Sequence, residues 1–583
     1  MTTNAELAAR FEEFADLLEA DGVEYKPRAY RRAAENIRSH PSPIADRVDA
    51  GDHEAVETIE GVGDAISAKI IEYVDTGSIE ELEELRAELP IDIADITRIE
   101  GVGPKTAGKL YRELGVETLD DLETVAEAGE VQEVTGFGPK TEQNILDNLE
   151  FARSVGQRQL LGEARPLADD VLGFLESLDA VERCEVAGSI RRWRPTIGDV
   201  DALVATDAHE DVIEGFVAWE SVDDVIESGP EKASVRVGEI RVDLRVVVPA
   251  EFGSALQYFT GSKDHNVSLR NYAIDRGMKL NEYGAFDIEE IDDPDAGQRV
   301  GDRVAGETEA GMYEALGLPW IPPELREDRG EIAAAENGDL PDLLSREDIR
   351  GDLHTHTEWS DGNTSIEAMI EAAAERGYDY FGIADHAEGP GIVGGMGLSD
   401  AEILEQVEAI RAVGGDADLE VFAGIEANVD ADGEIDLSDE VIDALDVIVA
   451  STHSALDQDA ETATERLACA AETPAIDVLG HPSGRLLNQR SGLEFDVTTV
   501  ARAAAEYDTA LEVNSDPRRL DLWGSAVQAA IEAGAPIAID TDSHQPATLE
   551  YMRWGVHTAR RGWAEPTDVI NTWELADLRE FLH

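Results

Sequence analysis

The chain has 583 residues, 42% hydrophobic and 30% charged, with 126 acidic against 47 basic side chains and a formal net charge of -79. This length suits about three to five domains, and no run of about 18 apolar residues is present, so no membrane span is expected. The polar stretch Met1–Phe11 does not read as a secretory signal, and two distant cysteines, Cys184 and Cys469, exclude a disulfide framework and point to the cytoplasm.

Residues 1–90 and 91–150 read as helical, without strand-like runs. One motif recurs three times there: Ile59-Glu60-Gly61-Val62-Gly63, Ile99-Glu100-Gly101-Val102-Gly103 and Val134-Thr135-Gly136-Phe137-Gly138. Each follows a short helix and opens another. The pattern is that of the helix–hairpin–helix, whose glycines permit a tight turn and whose following N–H groups can face a DNA phosphate. The second and third copies continue into Pro104-Lys105 and Pro139-Lys140.

The chain holds eight lysines, five of them in these helical regions. A chain this acidic repels itself at low salt, whereas at molar salt the Debye length falls to about 3 Å. The composition is therefore expected of a halophilic archaeon. The net charge does not exclude nucleic acid, because the few cations gather around the hairpins.

Residues 151–250 turn to mixed α/β, with a helix over about 160–178 and strands near 183–187, 200–205 and 240–248. Within them Gly188-Ser189, three arginines and Gly198-Asp199-Val200-Asp201 follow one another. Strand alternation puts Asp199 and Asp201 on one face. Paired carboxylates hold divalent metals, and small cationic donors hold phosphates. An Asp-x-Asp alone also describes a solvated strand face; the upstream donors favour two-metal phosphoryl or nucleotidyl transfer. Asp243, on the polar face of Ile240–Val246, supplies a third carboxylate. Residues 251–320 contain Tyr258-Phe259-Thr260-Gly261-Ser262 and a helix to about Arg276, and 321–349 form a Pro- and charge-rich connector.

From residue 350, short β runs alternate with helices: 381–384, 420–423, 447–450, 476–479, 510–513 and 537–539. Such units suggest a parallel α/β barrel. Six of the twelve histidines lie in motifs at the ends of these runs, beside Asp, Gly or Pro. Strand C-terminal ends converge in a barrel, so distant residues can build one metal site.

Gly188-Ser189, the arginines, Asp199, Asp201, Asp243 and Tyr258–Ser262 resemble the family X DNA polymerases, including polymerase beta, over about residues 1–320. The resemblance implies that Asp199 and Asp201 bind two Mg²⁺ (or Mn²⁺) ions, with Asp243 joining the catalytic one. It implies that Gly188, Ser189, Arg192 and Gly198 hold the incoming triphosphate, and that Tyr258, Phe259 and Gly261 contact its sugar. Asn266 and Arg270 fall where the family reads the nascent pair and template. DNA contact is implied for Lys26, Tyr30, Gly61, Gly63, Gly101, Gly103, Lys105, Gly136, Gly138 and Lys140. Lys69 matches the family's Schiff-base nucleophile for removal of 5′-deoxyribose phosphate, although Ala65 and Glu81 replace basic residues of animal relatives.

The C-terminal histidine set resembles the PHP (polymerase and histidinol phosphatase) family. Nine positions match its trinuclear Mn²⁺ or Zn²⁺ ligand set: His354, His356, Asp361, His386, Glu426, His453, His481, Asp542 and His544. Glu426 matches the residue that bridges two metals, and Arg485 is a candidate for charge against the phosphoester.

The two resemblances imply a multidomain chain. A lyase-like helical domain (1–90) and fingers with two hairpins (91–150) precede a nucleotidyltransferase palm (151–250), a thumb (251–320) and a linker (321–349). A distorted (β/α) barrel of PHP type (350–583) completes it. The expected activity is gap filling on gapped or nicked DNA with dNTPs in base excision repair, by a monomer. A 3′–5′ exonuclease or 3′-end phosphoesterase is expected in the C-terminal domain, with lyase or abasic-site cleavage as further activities. The alternative is a small-molecule phosphoesterase of histidinol phosphatase type whose N-terminal half only binds DNA.

Overall fold

The computed structural model describes residues 4–582 except 24–25, 39–43, 50–55, 57–58, 60–61, 98, 100–101, 135, 140, 144, 147–148, 150–157, 239, 295, 363, 390, 392–396, 416, 457 and 488–491. Gly61, Gly101 and Lys140 thus lie outside the described residues. The chain divides into two compact units. One comprises residues 1–159, 171–188 and 198–320; the other comprises 160–170, 189–197 and 321–583.

The first unit begins with helices. In α1 (Asn4–Ala20), Leu7, Phe11, Phe14, Ala15 and Leu18 recur at three- and four-residue spacing and are buried. They pack with α2 (Lys26–Arg38), α3 (Asp64–Thr76) and α4 (Pro104–Leu114) into one apolar core that runs to Leu149. The three hairpins share one turn. The N–H groups of Val62, Val102 and Phe137 donate to the carbonyls of Ile59, Ile99 and Val134 at 2.9, 2.9 and 3.0 Å. Gly63 and Gly103 then cap α3 and α4 with extended backbone.

Five strands form the sheet that follows: β1 (Arg183–Val186), β2 (Asp199–Ala205), β3 (Asp224–Ser228), β4 (Lys232–Val237) and β5 (Ile240–Val247). Their spatial order is β1-β2-β5-β4-β3, with β2 and β5 parallel and the other neighbours antiparallel. Val200 and residues 202–205 of β2 are buried, so the strand is fixed in register while Asp199 and Asp201 stay at its open face. Helices α5 (Phe252–Thr260) and α6 (Lys263–Ile274) come next. The Ser262 hydroxyl caps α6, accepting from the His265 N–H at 3.1 Å. A small antiparallel sheet, β6 (Met278–Asn281), β7 (Gly284–Asp287) and β8 (Asp302–Ala305), ends this unit.

The second unit is built on seven parallel strands in sequence order: β9 (Gly351–Asp352), β10 (Tyr380–Ile383), β11 (Glu420–Asn428), β12 (Val447–Ser451), β13 (Val478–Gly480), β14 (Ala510–Asn514) and β15 (Ile537–Asp540). Most are buried along their whole length, as expected of strands covered on both faces. Beyond β9 and β15 the chain bridges Thr355 to Ser543. The His356 N–H donates to the Ser543 carbonyl at 2.8 Å, and the Asp542 N–H donates to the His354 carbonyl at 2.9 Å. These bonds draw the first and last strands together into the nearly closed barrel that the β/α alternation implied. Only β9 escaped the sequence pattern, because it is two residues long. The connector 321–349 contains a helix over Glu331–Asn337 between short helical turns at Pro323–Leu325 and Arg346–Asp348. Among the described residues, no helix is long and apolar enough to cross a membrane.

Candidate DNA, nucleotide and metal sites

In the five-stranded sheet, Asp201 of β2 lies directly beside Asp243 of β5, and Asp199 beside Arg241. One carboxylate oxygen from each of Asp199, Asp201 and Asp243 falls within 4.8 Å of the others. Arg241 donates to Asp243 at 2.8 Å. The Asp199 carboxyl is pushed up by burial and by Asp243, against the pull of Arg241 and Arg158. Three carboxylates held this close with one guanidinium suit a divalent cation. Gly188 stands over them with φ +61°, and a Cβ there would sit 2.0 Å from the Asp201 Oδ2. Only glycine fits that close approach.

Phe259 lies under the Arg245 guanidinium at 4.4 Å and edge-on to Tyr258. Gly261 adopts φ +68°, ψ -153°, a region open to glycine. The Asn266 amide faces inward: it donates to the Tyr258 carbonyl at 2.6 Å and accepts from Gln257 at 2.7 Å. Arg270 is exposed on the same helix. Ser189 and Arg192 belong to the second unit, where Arg192 pairs with Glu327 at 3.1 Å.

Around the hairpins, a Cβ on Gly63, Gly103 or Gly138 would meet nothing within 4 Å. Packing does not demand these glycines, and their backbone is open to a close-fitting ligand. Lys105 is exposed on α4. On α3, Lys69 is largely buried and forms a 2.5 Å ion pair with Glu81, whose carboxylate also lies 3.8 Å from Lys26. Tyr30 packs against Phe11 and Phe14, and burial pushes its hydroxyl up to about 12, with Glu81 adding to the shift.

All nine residues matched to the PHP ligand set converge at the strand C-terminal ends. They form four overlapping groups of close ligand atoms: His356, Asp361, His386 and His544; His354, Glu426 and His481; His354, His356 and Asp542; His386, Glu426 and His453. Glu426 is fully buried with its oxygens facing different imidazoles. Its Oε1 lies 3.3–3.6 Å from the Nε2 atoms of His453, His354 and His481, and its Oε2 lies 2.6 Å from His386 Nδ1. Both oxygens, both nitrogens of His356, His354 Nε2 and His386 Nδ1 are buried without a hydrogen-bond partner among the described residues. Buried polar atoms so arranged fit metal ions that take up their lone pairs. His481 and Asp542 adopt φ +24° and +53°, strained values for non-glycine residues.

Residues outside the expected set orient these groups. Glu512, fully buried in β14, accepts from His354 Nδ1 at 2.7 Å and from the His481 N–H at 2.5 Å. Asn428 accepts from His453 Nδ1 at 2.7 Å, and Asn514 donates to Asp542 at 3.0 Å. A glutamate inside the apolar run Ala510-Leu511-Glu512-Val513 was the sequence signal for the first. Arg485 is turned away: it donates to the main-chain carbonyls of Arg519 and Leu520 and lies over Trp523. Arg519 instead brings its Nε to 3.7 Å from Asp542, and its buried NH1 has no hydrogen-bond partner among the described residues.

Comparison with known proteins agrees with both halves. The chain matches the helix-hairpin-helix domain over residues 2–79, the SAM-like helix-hairpin-helix tandem over 53–114 and 93–150, the DNA polymerase beta thumb over 255–327 and the PHP domain over 352–516. It is 34% identical to the DNA polymerase/3'-5' exonuclease PolX of Bacillus subtilis over 562 residues, 96% of this chain and 95% of that protein. DNA polymerase lambda of Rattus norvegicus is 25% identical over 56% of each chain. A probable phosphatase of Citrobacter koseri is 32% identical over 34% of this chain and 80% of its own length. The end-to-end match and the thumb, hairpin and PHP domains on one chain place the protein among the family X DNA polymerases that carry a C-terminal PHP domain.

Proposed function

We propose that the chain fills short gaps in DNA and trims 3′ ends, using two separate metal sites. The observation that carries the reading is the presence of both constellations: three carboxylates on β2 and β5, and nine convergent residues in the barrel. A small-molecule phosphatase would not need the first.

In the polymerase reaction, Asp199, Asp201 and Asp243 would hold two Mg²⁺ or Mn²⁺ ions, which would supply charge against the triphosphate. Gly188, Ser189, Arg192 and Gly198 grip the phosphates. Tyr258, Phe259 and Gly261 bound the sugar, and Asn266 shapes that wall through its bonds to Tyr258 and Gln257. The primer 3′-oxygen bonds to the α-phosphorus, pyrophosphate leaves, and the hydroxyl proton passes to a carboxylate. The hairpin backbones at Gly63, Gly103 and Gly138, with Lys26, Lys105 and Arg270, hold the DNA.

In the barrel, the nine residues would hold three Mn²⁺ or Zn²⁺ ions, which would supply hydroxide at neutral pH and polarise the phosphoester. Glu426 would offer one oxygen beside His354, His453 and His481 and the other beside His386. Arg519, rather than Arg485, faces the phosphate. In cleavage a water oxygen bonds to phosphorus, the phosphorus–3′-oxygen bond breaks, the 3′-oxygen takes up the proton, and a nucleoside 5′-phosphate leaves. Lys69, paired with Glu81, is the lyase nucleophile. A monomer in a molar-salt archaeal cytoplasm, acting in base excision repair, suits the charge of -79.

Two variants test the division on one-nucleotide-gapped DNA in molar KCl. Asp201→Ala should abolish dNTP incorporation and leave 3′–5′ trimming. His356→Ala should do the reverse. Incorporation by Asp201→Ala, or trimming by His356→Ala, refutes the assignment of that site.

A further inference from the structure

The arginine read above as a triphosphate ligand is anchored by residues far along the chain. Residues 189–197, the segment between β1 and β2, fold with the second unit. There Glu327 receives three guanidinium groups. Arg192 Nε and Arg561 NH1 donate to its Oε1, each at 3.1 Å, and Arg194 NH1 donates to its Oε2 at 3.2 Å. Arg561, on α7 (Met552–Arg561), also donates from NH1 to the Arg192 carbonyl at 2.5 Å. Side chain and backbone of Arg192 are thus fixed together.

The neighbouring residue is clamped as firmly. Trp193 lies flat on His557 of α7, ring centroids 3.4 Å apart and planes 5° from parallel. Trp554 packs beside it, and the Arg165 guanidinium lies 4.9 Å above. Trp193 has φ +54°, a costly conformation for an aromatic residue, which the surrounding packing must hold. His557 in turn donates from Nδ1 to Glu324 at 2.9 Å, and Arg560 donates to the same Oε1 at 2.7 Å. The Glu327 carboxyl falls to about 2: burial opposes its charge, but Arg561, Arg192 and Arg194 outweigh burial.

Glu327 thus ties Arg192 to Arg194 and Arg561 through one carboxylate. The bond from Glu327 goes to Nε, the atom nearest the stem of Arg192, and fixes the plane of the guanidinium. A planar donor preset in this way loses less freedom when it binds an anion. Arg192 and Glu327 are each only 12% exposed, so molar salt screens this contact far less than a surface pair.

We propose that Glu327 and Arg561 are positioning residues for the polymerase reaction, holding Arg192 in place for the phosphates of an incoming nucleotide. Polymerisation then depends on α7 and on the connector after residue 320, neither of which carries a reacting group. The inference rests on the reading of Arg192 as a triphosphate ligand.

The test is steady-state dNTP incorporation on one-nucleotide-gapped DNA, with 3′–5′ trimming by the same preparations as the folding control. Arg192→Ala sets the reference and should raise the dNTP KM by about 100-fold. Glu327→Gln should raise it about tenfold with kcat within about twofold, and Glu327→Asp should recover part of the loss. His557→Ala, which leaves the Glu327 ion pairs and removes the ring under Trp193, should shift KM the same way. Glu327→Gln added to Arg192→Ala should cost nothing further. An unchanged KM in Arg192→Ala refutes the ligand reading itself. A raised KM in Arg192→Ala with an unchanged KM in Glu327→Gln refutes the positioning role alone. So does a lowered KM in Glu327→Gln, which would make Glu327 a competitor of the triphosphate.

Discussion

Glu512→Gln is the sharpest test of the barrel site, because it changes one charge and almost no volume. The carboxylate accepts two N–H groups at once, His354 Nδ1 at 2.7 Å and the His481 main chain at 2.5 Å. A glutamine offers one oxygen, so its NH₂ must face one of the two donors. Leaving a buried donor unpaired costs about 1–3 kcal/mol. His354 belongs to two of the four ligand groups and His481 to one. Either the His354 imidazole or the main chain that carries His481 therefore loses the acceptor that orients it. Loss of such an outer partner lowers metal affinity about 10–100-fold, or about 1.4–2.7 kcal/mol. The assay is metal retained against a graded chelator, read by mass spectrometry on Mn²⁺-loaded protein, with apo-protein melting alongside. Trimming should fall at limiting Mn²⁺ and recover with excess, while gap filling stays unchanged. Retention within twofold of the parent, or an apo-protein melting loss as large as the loaded protein's, refutes a role in orienting ligands.

Gly188→Ala should abolish incorporation while sparing 3′–5′ trimming, because its Cβ would overlap Asp201 Oδ2; incorporation near the parent rate on gapped DNA would show that the turn opens freely. Arg519→Ala should cut trimming by about 100-fold or more with unchanged metal content, and Arg485→Ala should instead lower the melting temperature; the reverse pattern reassigns the phosphate charge to Arg485. Acid should weaken the second unit through Glu324 and Glu327. Burial opposes both charges, but His557 and Arg560 around the first, and Arg561, Arg192 and Arg194 around the second, bring each down to about 2 from an ordinary value of 4.5. A lowered carboxyl stabilises the fold above its unfolded value and loses that contribution as pH falls toward 2, so each contributes about 3 kcal/mol at pH 7 and loses about 2 of it by pH 3. Urea unfolding in molar KCl should therefore show a flatter pH dependence between 5 and 3 for Glu324→Gln than for the parent; parallel curves would refute the lowered value.

The barrel ligands were legible because chemistry and topology coincide in the sequence. His386, His453, His481 and Asp542 each follow an apolar run, and parallel strands bring run ends together. Glu426 was legible by resemblance, although β11 continues past it to Asn428 rather than ending at residue 423. The supporting groups were hidden for a different reason. Asn428 and Asn514 are ordinary polar residues at strand ends, and only the fold shows that their amides meet His453 and Asp542. The two arginines show the limit most clearly. Gly484-Arg485 and Arg518-Arg519 look equally suited to a phosphate. Which side chain faces the ligands depends on the turn after His481 and on Trp523, a contact 38 residues away along the chain.

The N-terminal half repeats this lesson with charge. Asp199, Asp201 and Asp243 could be aligned from alternation alone, because a strand's period fixes its faces and β2 pairs with β5 in register. Arg192 could be found by motif, but its geometry belongs to residues more than 130 positions later, Glu327 and Arg561. In a chain with 47 cations against 126 anions, almost every arginine can find a carboxylate. What separates a working arginine from a solvated pair is burial. Arg192 and Glu327 are both 12% exposed, whereas Arg270, also matched to a DNA-facing position, is exposed. High salt removes the second kind of interaction and spares the first. An enclosed cluster of this kind keeps its geometry at molar salt, as do the extended backbones at Gly63 and Gly103, which carry no charge to screen.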